Sequence, residues 1–318
     1  MAKKMSSPKA VTLILGAGFS YWAASLPLVR SLFDSKIDIL NDREERRLKK
    51  VEIFKAKWDK DHPGVNPEQF IEHILRNGTV SERKLLLWYI TRRLSDPFLA
   101  TITRGIQTLM IDDSRKTRLP EIRKATEFFE YVGHTSLAGI VTPNYDLLVE
   151  YSLGTSSFNY GMLGKKLYGR GKNHIFPWQG AWPTLKGALP VAKVHGSLSW
   201  MEDGTHFTDG RCGLKGKAHI VPPIPEKARP PELNAVWQLA ERILKASAAI
   251  LVFGFAFNPY DKALLELLKS GDDVKNVLLV DPLPNVDAAR KIWPGSQIKT
   301  CSPPPGSWSD IREWLDGV

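Results

Sequence analysis

Apolar residues fall along this chain in short dense runs. Residues 11–15, 139–142, 191–195, 250–253, 277–280 and 298–301 are the runs, most of them rich in Val and Ile. Strands covered on both faces carry such unbroken runs, because neither side meets water. Other stretches space their apolar residues at helical intervals. "NPEQFIEHILRN" opens on a capping Asn66 followed by Pro67, "SERKLLLWYITRRL" is amphipathic, and a helix over 233–246 follows the proline cluster "VPPIPEKARPP". The mixed run "REERRLKK" at 43–50 reads as the solvated face of a helix. Strands interspersed with helices predict an α/β fold, a Rossmann-like parallel sheet flanked by helices. Residues 32–136 separate the first two strands and read as a helical insertion, and the Gly- and aromatic-rich residues 153–190 as a loop-rich one.

The first run raises its own question. From Val11 to Val29, "VTLILGAGFSYWAASLPLV", no residue is charged, and Lys3 and Lys4 lie just upstream. That is about the length of a bilayer span, and a basic start suits an export signal. Yet only the first five residues are strongly apolar; Gly16, Gly18, Ser20, Trp22, Ser25 and Pro27 dilute the rest. The competing reading is a strand, a glycine turn and a helix opening near Ser20, whose backbone N–H groups would receive a phosphate. Gly16 and Gly18 supply two glycines of a dinucleotide fingerprint, Tyr21 stands in place of the third, and no P-loop lysine follows. A tight buried turn without a ligand fits the same residues.

Composition narrows the classes. With 318 residues, 43% hydrophobic and 25% charged, the chain reads as an ordinary globular protein of one large domain or two unequal ones. Cys212 and Cys301 are too few for a disulfide scaffold or a four-cysteine zinc module, and they suit a reducing cytoplasm. A net charge of +10 favours an anionic partner. The basic residues are scattered, however, without the aromatic interleaving of a single-strand binder.

The strand ends hold the candidate chemistry. Five of the runs lead into "GAG", "PNYD", "GSLSW", "GFAFNPYD" and "DPLPN", and parallel sheets gather ligands at their carboxyl ends. His195 follows the third run; it is either a satisfied structural residue or, facing a crevice, a general base. Asn144 either supports its turn or holds a ribose hydroxyl or a water. Asp146 and Asp261 each read as helix caps. Asp281 is either a solvated strand-end acid or an acceptor for ribose hydroxyls. The other histidines show no metal-ligand spacing.

In this order, "GAGFS" with its following "LPL", then "TPNYD", "KVHGSLSW" and "GFAFNPYD", resemble the sirtuin superfamily. They look most like the bacterial sirtuin-like NAD hydrolase domains of anti-phage defence systems, and "IVPP…K…W" at 220–237 resembles that branch too. The resemblance runs from Val11 to about Asp281 and reads the first stretch as a nucleotide turn. It implies a single catalytic domain over residues 1–318, with the helical insertion inside it and NAD as substrate. Gly16, Ala17, Gly18, Phe19 and Ser20 would hold its phosphates and ribose, with Pro143 and Asp146 in the same binding set. Asn144 would stand near the nicotinamide ribose, and His195 would be the catalytic histidine. Gly254 and Phe257 would line the groove, and Asp281 would approach the adenosine ribose.

Two departures bear on activity. This chain cannot build the four-cysteine zinc module of deacetylating sirtuins, and "SLPLVRSLFD" lacks the Asp-Phe-Arg of that branch. The implied activity is NAD+ glycohydrolysis in anti-phage defence, regulated by oligomerisation or a partner defence protein. The setting is the cytoplasm, without membrane or direct nucleic-acid contact. An NAD or ADP-ribose sensor without turnover is the alternative, as is a protein deacylase or ADP-ribosyltransferase.

Overall fold

The computed structural model describes residues 10–34, 37, 39, 41–104, 122–153, 158–160, 189–201, 218–224, 227 and 229–318. The first apolar run is β1 (Val11–Leu15), buried along its whole length. Burying side chains such as Leu13, Ile14 and Leu15 stabilises the fold by roughly 1.5–3 kcal/mol each. β2 (Leu137–Thr142), β3 (Phe158–Asn159) and β4 (Leu189–Lys193) stand on one side of β1. β5 (Gly196–Met201) and β6 (Ala218–Ile220) form a separate antiparallel pair. β7 (Ala249–Phe253), β8 (Asn276–Val280) and β9 (Gln297–Cys301) complete a seven-stranded sheet of order β3-β4-β2-β1-β7-β8-β9, parallel at every pairing.

The helices are α1 (Ala17–Ala24), α2 (Asp42–Asp61), α3 (Pro67–Asn77), α4 (Val80–Arg104), α5 (Arg123–Val132) and α6 (Leu148–Leu153), followed by α7 (Asn234–Lys245), α8 (Lys262–Leu268), α9 (Val286–Ile292) and α10 (Trp308–Asp316). α1 and α6 pack on α5, while α7 lies on β2 and β4 with α8 against it. Rossmann-like architecture is the result. The main core follows the sheet, and a second apolar cluster of Leu32, Ile37, Val51, Phe70, Ile71, Leu86, Trp88, Tyr89 and Ile90 sits among α2, α3 and α4.

The local readings differ in instructive ways. α1 begins at Ala17 rather than near Ser20, because extended Gly16 is itself the N-cap and lets the helix start at the strand's end. Asn66 caps α3 as its sequence predicts, its Oδ1 accepting from the Glu68 N–H at 2.9 Å. β3 and the start of β4 fall inside the stretch read as loop; residues 154–157 and 161–188 lie outside the described residues, as does Cys212. Among the described residues, no helix is long and apolar enough to cross a membrane.

Candidate functional site

The chain order reverses at β1, which has β2 on one side and β7 on the other. Ligands of such sheets bind at that switch point, outside the carboxyl ends. Here the turns after β1 and β7 meet backbone to backbone. The Gly16 N–H donates to the Phe253 carbonyl at 2.9 Å and the Gly18 N–H to the Gly254 carbonyl at 2.8 Å. A Cβ on Gly16 would lie 2.3 Å from the Gly254 carbonyl oxygen, and one on Gly254 would lie 2.2 Å from the Phe19 nitrogen. Gly254 also holds a φ of +62°, which a side chain would strain. All three glycines thus serve loop-to-loop contact first.

The turn after β2 locks onto the same unit. Asn144 Nδ2 donates to the Gly16 carbonyl at 2.8 Å and to Ser20 Oγ at 3.0 Å. Ser20 Oγ donates to Asp146 Oδ2 at 2.8 Å, while Asp146 Oδ1 accepts from the Leu148 N–H at 3.0 Å. Asp146 therefore caps α6 and also ties α1 to β2. Pro143 and Asn144 are half-buried, and Ala17 is exposed at the first turn of α1, which carries no acidic residue. The Phe19 side chain is turned into the core. Its ring is fully buried, 5.2–5.4 Å from the rings of Phe253 and Phe128.

Beneath this turn, Lys193 at the end of β4 is 1% exposed and donates to Glu150 Oε1 at 2.7 Å. It also donates to the Asp146 carbonyl, pinning the β2 turn to β4. The Leu198 N–H donates to the Tyr145 carbonyl at 2.9 Å, adding a second tie.

His195 lies two residues past β4, in the turn into β5, and is 1% exposed. Its Nε2 is 3.2 Å from Asp261 Oδ2, off the axis of a straight hydrogen bond. Among the described residues, neither ring nitrogen has an aligned hydrogen-bond partner, and neither do Asp261 Oδ1 and Trp237 Nε1. The Tyr145 and Trp237 rings stand 6.5 and 6.4 Å from the imidazole. Four buried polar atoms of this kind meet here, and such atoms are few in folded proteins and call for an explanation.

The electrostatics are mixed. Burial pulls the imidazole of His195 below its ordinary range and Lys227 adds to this, while Asp261 pulls it up. Burial pushes the Asp261 carboxyl up, but His195 and Lys227 outweigh it and hold it low; the Leu264 N–H helps without reaching capping geometry. Lys227 Nζ lies 3.9 Å from Asp261 Oδ2, and burial lowers its ammonium despite the Asp261 and Glu68 carboxylates. The Tyr145 phenol is held up by its dry surroundings, with Asp261 and Glu68 adding to the effect. Glu68, in the first turn of α3, brings the helical insertion to the site.

Asp261 belongs to β7's loop but meets a residue of β4's, so the two loops between them bridge the ends of β1 and β2. Three strand spacings are about 14 Å, well within the reach of the segment from Phe255 to Asp261. Phe257 sits in the middle of it, buried, with its ring 4.9 Å from Phe255. The structure thus joins Gly16, Gly18, Ser20, Asn144, Asp146, His195, Gly254 and Phe257 into one ring of loops. Asp281 stands apart, at the end of β8, with its Oδ1 accepting from the Leu283 N–H at 2.9 Å. Sequence reasoning took Asp261 for a cap and did not single out Glu68 or Tyr145. The "K…W" of the 220–237 stretch was the available signal for Lys227 and Trp237. No group of three or more metal-ligating side chains occurs among the described residues.

No family model matches the chain, and no curated protein matches it. Among solved structures it is similar to one described as a Sir2 homolog–NAD complex, with a TM-score of 0.46 and 12% identity over 97% of this chain and 89% of that one. A second, from work on the mechanism and regulation of Sir2 enzymes, gives 0.44 and 14% over 98% of this chain and 92% of that one. A third, Sir2 with an inhibitor, 2'-O-acetyl-ADP-ribose and a deacetylated p53 peptide, gives 0.37 and 13% over 97% and 93%.

Proposed function

We propose that this protein is an NAD+ hydrolase, releasing nicotinamide and ADP-ribose. The observation that carries the reading is the buried imidazole of His195, with neither nitrogen in an aligned hydrogen bond among the described residues, at the carboxyl ends of a parallel sheet and beside the Asn144 turn. Leaving such a group unpaired costs about 1–3 kcal/mol, which a bound partner recovers. The order of motifs that resembles sirtuin-like defence domains supplies the choice of NAD, and the two cysteines argue against a zinc-bearing deacetylase.

In this reading the dinucleotide lies along the turns after β1 and β7, with the nicotinamide ribose near Asn144. The C1′–N bond breaks and its electron pair leaves with nicotinamide. A water oxygen bonds to C1′, and His195 accepts the water's proton. A dry pocket and a fixed water do most of the work, because the transition state resembles an oxocarbenium ion. Ungoverned NAD+ loss would harm its own cell. The reading therefore extends to a defence effector held in check by self-association or a partner.

The test is nicotinamide release from NAD+ by the purified protein beside His195→Ala and Asn144→Ala, with circular dichroism confirming that each variant is folded. Removing a general base costs about 100- to 10,000-fold, so the His195 variant should fall to background. Near-wild-type turnover in either variant would sink the mechanism. Release that requires an acyl-lysine peptide would move the activity to deacylation.

A further inference from the structure

Asp261 occupies the N-cap position of α8 but makes no capping hydrogen bond, although such a cap is worth about 1 kcal/mol. It is 5% exposed, and a buried carboxylate needs a partner. Its partners are His195 and Lys227, at 3.2 and 3.9 Å. The backbone leading to it is strained as well. Phe257 adopts a φ of +51°, a left-handed conformation that costs a bulky residue about 1–3 kcal/mol. After it, the Tyr260 N–H donates to Asn258 Oδ1 at 3.0 Å and the Asp261 N–H to the Asn258 carbonyl at 3.0 Å, so this tight turn fixes where the carboxylate points.

We propose that Asp261 is a positioning residue for His195: it faces Nε2, fixes the Nε2–H tautomer and leaves Nδ1 as the nitrogen that takes up the proton. The inference rests on the hydrolase reading. A carboxylate 3.2 Å from one ring nitrogen electrostatically favours the tautomer that carries the proton there, which leaves the other nitrogen's lone pair for chemistry. The same anion supports the imidazolium that forms when Nδ1 accepts a proton. The charged groups acting on the ring are Asp261, after β7, and Lys227, after β6. Tyr145 faces it from the β2 turn and Trp237 from α7, while Glu68 of α3 acts one layer out, on Lys227 and Tyr145. Because the segment from Gly254 to Asp261 also carries the groove residues Gly254 and Phe257, one loop both seats the dinucleotide and aims the base.

Asp261→Asn removes the charge and keeps the shape. Its kcat should fall at least about 10-fold, and up to about 10,000-fold if the wrong tautomer takes over, with KM for NAD+ nearly unchanged. The acid limb of its kcat–pH profile should move to lower pH, because the anion that helps His195 hold a proton is gone. Asp261→Glu should restore part of the rate and of the limb. As a control, Asn285→Ala removes a true cap, whose Oδ1 accepts from the Ala288 N–H at 3.1 Å, and should lower Tm without moving the limb. Nitrogen-15 spectra of histidine-labelled protein, assigned with His195→Gln, should place the wild-type proton on Nε2. A proton on Nδ1 overturns the proposal, as does an Asp261→Asn limb that stays in place. If the wild-type releases no nicotinamide, the hydrolase reading fails while the tautomer still judges Asp261.

Discussion

At the scale of single residues, the glycines show how one signal can carry two meanings. Gly16 and Gly18 read in the sequence as places where a backbone meets a phosphate. In the structure, these glycines and Gly254 let two turns meet each other, at distances no Cβ would allow. Gly254→Ala should therefore cost at least about 2 kcal/mol in chemical denaturation and abolish calorimetric NAD+ binding. Wild-type stability in that variant would show that the turns part easily. The burial of the Phe19 ring was not legible in sequence, because burial within a helix turn depends on what packs over it. Asp261 was mistaken for a cap because an aspartate before a helix is a cap by default, and its partner His195 is distant in the chain.

At the scale of elements, the apolar runs located β1, β2, β4 and β7 through β9 to within about two residues. All but β9 are largely buried on both faces, which makes them the most legible elements of such a fold, whereas β9, at the sheet's edge, reads Gln-Ile-Lys-Thr-Cys and is mostly exposed. The β5–β6 pair was not legible, since "GSLSW" alternates small and large residues within an already marked strand end. What binds the elements is less visible still. Lys193 joins β4 to α6 through Glu150, which is fully buried, and to the turn after β2 through the Asp146 carbonyl. Lys193→Met would leave Glu150 buried without a counter-charge, a loss of about 3–5 kcal/mol measurable in urea. Adding Glu150→Gln should recover much of that loss. A single variant as stable as wild type would show that the Lys193–Glu150 pair contributes nothing to stability.

Across the whole molecule, two apolar clusters share the work. The one among α2, α3 and α4 owes Phe70, Ile71, Leu86, Trp88, Tyr89 and Ile90 to helical spacings plain in sequence, and it carries Glu68 toward Lys227 and Tyr145. Ile71 is fully buried there. Ile71→Ala should cost about 2–5 kcal/mol and raise hydrogen exchange in these helices while leaving β1 and β7 protected. Exchange rising equally in the sheet would mean that the two clusters melt as one. The position of β1 has a final consequence, for synthesis. One of its neighbours, β7, begins at Ala249, and Asp261 follows later still. At about 5–20 residues per second, a ribosome needs roughly 10–50 s to travel from β1 to β7. Throughout that interval the central strand lacks one side and His195 lacks the carboxylate that faces it. A nascent chain therefore cannot close its ring of loops until most of it has been translated.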